Sequence, residues 1–183
     1  AEQNMIGVAT GLAEVGYIPF VYSIATFVTL RPYEFIRNGP MWHKLPIRIV
    51  AIGDGLEYGS EGLSHYALED IGLMRLQPGI TVIVPVDSRQ AKTAMHKTWG
   101  LPGPIYYRIS KRDIGPVPNL KGRFSVGKLQ IIRQGKDVLF IAMGRLAHQV
   151  HLAAENLAAK KISAAVAVMA SICPPPKAQL KRL

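Results

Sequence analysis

Hydrophobic positions along the 183-residue chain fall into short apolar runs separated by stretches with helical spacing. The clearest such pattern spans residues 46–87. Ile47-Arg48-Ile49-Val50-Ala51-Ile52 has the length and β-branched content of a buried strand. It breaks at Gly53-Asp54-Gly55 and enters a polar, glycine-punctuated loop that ends at Gly62-Leu63-Ser64-His65. A helical segment follows, with Glu69 and Asp70 near its start and Leu68 and Ile71 at helical spacing, and Gln77-Pro78-Gly79 stops it. A second apolar run, Ile80 to Val86, leads to Asp87. Strand, long loop, helix, strand is a βαβ unit and predicts a parallel sheet. Ligands of open α/β sheets sit outside the carboxyl ends of the strands, so the loop from Gly53 to His65 is where chemistry is expected.

The flanking patterns extend this α/β reading. Met5, Val8, Ala9 and Leu12 share one face of a first helix, with Gly16 as its natural stop. Tyr17 to Ile24 reads as a strand that Ala25-Thr26-Phe27 ends, and a helical stretch to about Met41 carries Leu30, Tyr33, Glu34 and Ile36. Asp87 and Gln90 form a capping box for a helix that presents Ala91, Ala94, Met95 and Thr98 and stops at Gly100. Ile105 to Ile109 is a fourth strand, and the Gly/Pro-rich residues 113–125 read as an interdomain linker. Beyond them the pattern predicts a hairpin (Ser125 to Arg133, turning at Gln134-Gly135), a strand from Val138 to Met143, a helix from Leu146 to Lys160 and a strand from Ala164 to Met169. This last piece has too few elements to close a core of its own and is expected to need partner structure.

Composition narrows the function classes. No apolar run reaches the ~20 residues of a membrane span, and no signal-peptide pattern stands at the start. The lone Cys173 fits a reducing, cytoplasmic setting. The net charge of +10 is concentrated late, where Asp137 and Glu155 are the acids against nine Lys or Arg residues from Lys128 to Arg182. These bases are scattered singly, without interleaved aromatics, which speaks against nucleic acid and for anionic small molecules or an acidic neighbouring domain.

Several residue types invite chemistry singly. Gly53-Asp54-Gly55 after a buried strand is how a magnesium-binding motif of thiamine diphosphate enzymes begins, but no Asn follows between Asp54 and Asn119. Asp54 therefore reads as a turn residue, and no metal site is expected on this chain. His65 sits where an imidazole can face a cleft. His148 and His151 have ligand spacing without a third ligand in view. Cys173, before three prolines, has no neighbouring base. Glu2 suits the positive end of a helix dipole, and Phe27 and Tyr33 suit a core.

Taken in order, the pieces resemble one family. Ala1-Glu2-Gln3, then Ser23-Ile24-Ala25-Thr26-Phe27 with Arg31 and Tyr33, then Gly62-Leu63-Ser64-His65, Leu68-Glu69-Asp70 and Pro85-Val86-Asp87 resemble the pyrimidine-binding domain of the transketolase family. The resemblance covers residues 1–112, and residues 126–183 resemble the first half of that family's C-terminal domain. It implies a parallel-sheet pyrimidine-binding domain, a linker at 113–125 and part of a second α/β domain.

The implied activity is transfer of a two-carbon ketol unit from a ketose or ketose phosphate donor to an aldehyde acceptor, dependent on thiamine diphosphate. In that role Glu2 bonds the aminopyrimidine nitrogen with a carboxyl whose pKa is raised, and Phe27 stacks on the ring. Leu30, Arg31 and Tyr33 line the same cofactor pocket. His65 is the second catalytic residue, and Glu61, His65 and Lys111 bind the sugar phosphate. Magnesium and the diphosphate end are expected on a partner domain or subunit, in a homodimer or heterotetramer, making this a split or truncated chain. The sequence departs from the family at Gly53, where many members carry a histidine, and at Lys111, where an arginine is usual. Lys lacks the bidentate phosphate geometry of Arg. A deoxyxylulose-phosphate synthase, a 2-oxoacid dehydrogenase β-subunit and a non-catalytic interaction subunit remain the alternatives.

Overall fold

The parallel sheet predicted from the central pattern is present in the computed structural model, which describes residues 1–182. The chain divides into a first unit of Ala1–Ile83 with Thr98–Lys111, and a second of Val84–Lys97 with the residues from Arg112 onward. In the first unit β1 (Phe20–Ile24), β2 (Arg48–Ile52), β4 (Ile105–Ile109) and β3 (Thr81–Ile83) lie side by side in that order, all parallel. The register sets Ile24 beside Ile52 and Ile52 beside Ile109, so three strands end level and release their loops at one edge.

Four helices accompany this sheet: α1 (Glu2–Glu14), α2 (Ala25–Leu30), α3 (Tyr33–Ile36) and α4 (Asp70–Arg75). Ile6, Val28, Ile36, Ile49, Met74, Val82 and Tyr106 are buried among them. Both central strands read as apolar runs because both of their faces are covered. Each nevertheless carries an arginine. Arg48 is fully buried, and its guanidinium donates to the carbonyls of Trp99 (2.7 Å), Gly103 (2.6 Å) and Leu101. Burial lowers its pKa, and the carbonyl cage makes the buried cation tolerable.

Some predicted elements shift. The buried face of α1 is Glu2, Ile6, Ala9 and Ala13, whereas Val8 and Leu12 are exposed. The helical stretch to Met41 is three pieces, since Pro32 separates α2 from α3 and Arg37–Met41 winds into a wider π-type turn around Pro40. Ala25 begins α2 directly after β1, so residues 25–27 are helical rather than the end of a strand.

The second unit contains α5 (Ser88–Thr98) up to Lys97, β5 (Gln130–Arg133), β6 (Val138–Ala142), α6 (Leu146–Ala159), β7 (Ala164–Val168), β8 (Ser171–Cys173) and α7 (Lys177–Leu180). The predicted hairpin is absent. β7 lies between β5 and β6, antiparallel to the first and parallel to the second. The apolar Ala164–Val168 run is buried along most of its length and takes the centre, where both edges are paired. Val86, Val117, Leu120, Ile132, Ala147, Ala154 and Val166 form this unit's own core, to which the 113–125 segment contributes Val117 and Leu120. The capping box holds in modified form: Asp87 accepts from the Gln90 and Val117 amides, and Gln90 accepts from the Val86 amide. Among the described residues no helix is long and apolar enough to cross a membrane.

Candidate active site

The level strand ends bring separate segments together. Glu2 is the first residue of α1 and is buried. Its Oε2 accepts from Arg31 Nη1 at 2.9 Å, and its Oε1 accepts from Ser23 Oγ, at the end of β1, at 3.2 Å. Arg31 follows α2, and its guanidinium carbon lies 3.8 Å above the centre of the Phe27 ring. On α2 that ring also meets His65 edge to face at 4.9 Å between centroids. The next ring, Tyr58, is 5.4 Å from His65, and Lys111 Nζ lies 4.3 Å above Tyr58. Five of the residues expected from sequence (Glu2, Phe27, Arg31, His65 and Lys111) thus form one continuous series of contacts.

The electrostatics differ from the expectation at Glu2. The hydrogen-bonded Arg31 guanidinium holds its carboxyl below the ordinary carboxylate value, outweighing the upward push of burial. The raised pKa implied by the family resemblance is therefore not the state seen here, where an ion pair fixes the ionised form. His65 Nδ1 lies 3.0 Å from Ser64 Oγ, which restricts its ring.

Other expected residues are placed elsewhere. Leu30 is 45% exposed at the end of α2. Tyr33 lines a cavity of about 710 Å³ with Arg37, Met41, Trp42 and Leu76, not with Glu2, Phe27 or His65. Glu61 is exposed on the short turn Gly59–Glu61. Asp54 is more than a turn residue. Arg108 Nη1 reaches its Oδ1 at 2.7 Å and, through Nε, approaches Asp70 Oδ2 at 3.1 Å. Tyr106 donates its hydroxyl to Asp70 at 2.6 Å, and Arg108 Nη2 donates to the Ala67 carbonyl at 2.6 Å. Burial pushes the Asp70 carboxyl up and Arg108 draws it back.

Glu57 completes the loop's anchorage: it accepts from the Asp54 amide (2.9 Å), Ser110 Oγ (2.6 Å) and the Lys111 amide (2.7 Å). Sequence reading missed Arg108, Glu57 and Tyr58. An arginine inside an apolar strand was the available signal for the first, since an unpaired buried cation is costly. Nothing in the loop's composition marks the other two. His148 lies 3.0 Å from the Gly115 carbonyl and His151 3.4 Å from Glu155, and among the described residues no group of three or more His, Cys, Asp or Glu is arranged to hold a metal.

A carboxylate, an arginine and a run of aromatic rings are thus gathered at the carboxyl edge of a parallel α/β sheet. The chain belongs to the transketolase family: residues 1–116 match its pyrimidine-binding domain and residues 127–183 its C-terminal domain. It is 38% identical to a putative transketolase C-terminal section of Methanocaldococcus jannaschii over 95% of this chain and 56% of that protein. It is 36% identical to the 6-deoxy-6-sulfo-D-fructose transketolase subunit SqwH of a Clostridium species, over 91% of this chain and 52% of that one. The chain therefore spans about half the length of these relatives. A solved structure described as a split-gene transketolase, inactive beta4 tetramer, superposes with a TM-score of 0.89 at 37% identity, covering 100% of this chain and 59% of the other.

Proposed function

We propose that this chain supplies the pyrimidine half of a thiamine diphosphate site in a transketolase, and that the assembled enzyme moves a two-carbon ketol unit from a ketose or ketose phosphate to an aldehyde. The observation that carries this reading is the convergence of Glu2, Phe27 and His65 from α1, α2 and the turn after β2. The side chains fit the ring: a carboxylate that already accepts two donors stands beside an aromatic that already carries a flat cation. When bound, thiamine diphosphate supplies the carbon nucleophile of the transfer.

The protein's part is positioning and proton handling. Ser23 orients the Glu2 carboxylate, which holds a proton at the pyrimidine nitrogen. Phe27 offers its face to the ring and keeps water from it. His65, restrained by Ser64, donates to or accepts from a sugar oxygen, and the Lys111 ammonium attracts an anionic sugar end. The diphosphate and magnesium are held by a partner domain or subunit, for which the names of the two relatives, a C-terminal section and a subunit, are the support.

Reconstitution tests the reading. The chain is mixed with a transketolase diphosphate-binding subunit, magnesium and thiamine diphosphate, and ketol transfer and cofactor binding are measured. Transfer is expected in the mixture only. Pyruvate decarboxylation in its place would move the chain to the 2-oxoacid dehydrogenases, and no cofactor binding by calorimetry would sink the proposal.

A further inference from the structure

We infer that Arg31 is a built-in occupant of the seat formed by Glu2 and Phe27, and that an aminopyrimidine ring must displace its guanidinium to bind. This rests on the function proposed above. A guanidinium is planar, with hydrogen-bond donors along its edge and a flat face. Here the edge is spent on Glu2 Oε2 at 2.9 Å and the face on Phe27 at 3.8 Å. An aminopyrimidine presents the same two surfaces, a hydrogen-bonding edge and a flat face. A separation of 3.8 Å is already van der Waals contact, so no ring fits between Arg31 and Phe27.

Arg31 is also free to leave. Its side chain is 49% exposed, and among the described residues Glu2 and Phe27 are its partners. Departure changes what Glu2 can do. With Arg31 in place the carboxyl is held ionised, which suits an ion pair and not a group that keeps a proton on a ring nitrogen. Without it, burial still acts upward, against the backbone and Ser23 hydrogen bonds that act downward, so the carboxyl rises from its paired state. Displacement would therefore free the Glu2 edge from its ion pair for the ring's hydrogen-bonding edge, in the same step that seats the ring. Arg31 is in this sense a positioning residue that acts through Glu2.

The full chain and its Arg31→Met and Arg31→Gln variants test this with 4-amino-5-hydroxymethyl-2-methylpyrimidine as the probe. Binding is read by calorimetry, the Glu2 carboxyl by carbon-13 titration and the arginine by its side-chain nitrogen resonances. Arg31→Met is expected to bind the probe about three- to thirty-fold tighter, the scale of one exposed ion pair plus one cation–π contact. Arg31→Gln should fall between Met and wild type. Both variants should show a Glu2 pKa above that of the wild type, as loss of the ion pair alone requires, so probe affinity and the arginine resonances are the readouts that a merely structural role would not move. Saturating the wild-type chain with probe should shift the Arg31 resonances. Probe binding with unmoved Arg31 resonances, or Arg31→Met binding no tighter than wild type, overturns the displacement and leaves the pyrimidine reading standing. Failure of every chain to bind the probe removes that reading, and this inference with it.

Discussion

The Tyr58 ring occupies the space into which any side chain on Gly53 would grow. A Cβ built on Gly53 would lie 2.3 Å from Tyr58 Cε2, and Gly53 has φ +97°, a conformation glycine adopts freely. The two residues are therefore chosen together. Gly53 lets the ring close over the end of β2, and the ring in turn abuts His65 and carries the Lys111 ammonium. Burial raises the Tyr58 pKa, so its hydroxyl stays neutral in this setting.

Gly53→Ala should consequently do two separable kinds of damage. Left-handed backbone on a non-glycine residue costs ~1–3 kcal/mol, and the clash with Tyr58 adds to it. In a chemical denaturation cycle, Tyr58→Ala should relieve the clash and leave the backbone cost, giving a favourable coupling between the two substitutions. Strict additivity would show that the ring does not depend on Gly53.

Arg108 makes a second prediction, because it neutralises two carboxylates from different segments. Asp70→Ala leaves the arginine buried and half-compensated, and should cost ~3–5 kcal/mol in thermal or urea unfolding. Asp70→Asn gives a pH signature. A carboxyl whose folded pKa is raised above the ordinary 3.8 binds more protons folded than unfolded within that window. Its contribution to stability therefore falls as pH rises through the window, and the wild type should lose stability relative to Asp70→Asn over the same range. Asp54, whose Oδ1 is held by Arg108, should not govern magnesium. Asp54→Asn is expected to leave the magnesium needed for half-maximal activity unchanged in the assembled enzyme.

The parts of the molecule that were legible in the sequence are those written in periodicity. β2, β4 and α6 follow from apolar runs and spacing that local backbone preferences reinforce. The course of β7 between β5 and β6 was not legible, because strand order is settled by which strand can be buried on both edges, a long-range matter. The α1 face was misplaced for a related reason: Ala9 and Ala13 are small and fit against the sheet, whereas Val8 and Leu12 are left exposed. At the site, the motif order pointed to Glu2, Phe27, Arg31 and His65, but not to the contacts by which the arginine joins the first two. The sequence places Arg31 with Leu30 and Tyr33 as lining of the cofactor pocket, without a partner. Its role depends on a contact across 29 positions that no local pattern encodes. Tyr33, two residues further on, illustrates the converse, since Pro32 breaks the helix and turns that ring into a different cavity.

Glu2 is the residue on which the proposed activity most depends, and Glu2→Gln separates its two roles. As a helix-end charge it is worth ~0.3–1 kcal/mol, and its ion pair with half-exposed Arg31 adds ~1 kcal/mol at most. In the proposed role of holding a proton at the pyrimidine nitrogen it would govern turnover, and losing one general acid–base typically slows the dependent step ~10²- to 10⁴-fold. Glutamine keeps the size and accepts hydrogen bonds but exchanges no proton in this range. The variant should therefore melt close to wild type and lose nearly all ketol transfer in the assembled enzyme. A pH series adds an independent readout. Arg31 lowers the folded pKa of Glu2 beneath its ordinary 4.5, so the pair's stabilisation is complete above that value and disappears as pH falls through the folded one. Glu2→Gln should abolish that acid-side slope whatever its effect on activity. Turnover within a few-fold of wild type at saturating cofactor, with the slope abolished, would reduce Glu2 to a partner for Arg31 and take the catalytic assignment away from this end of α1.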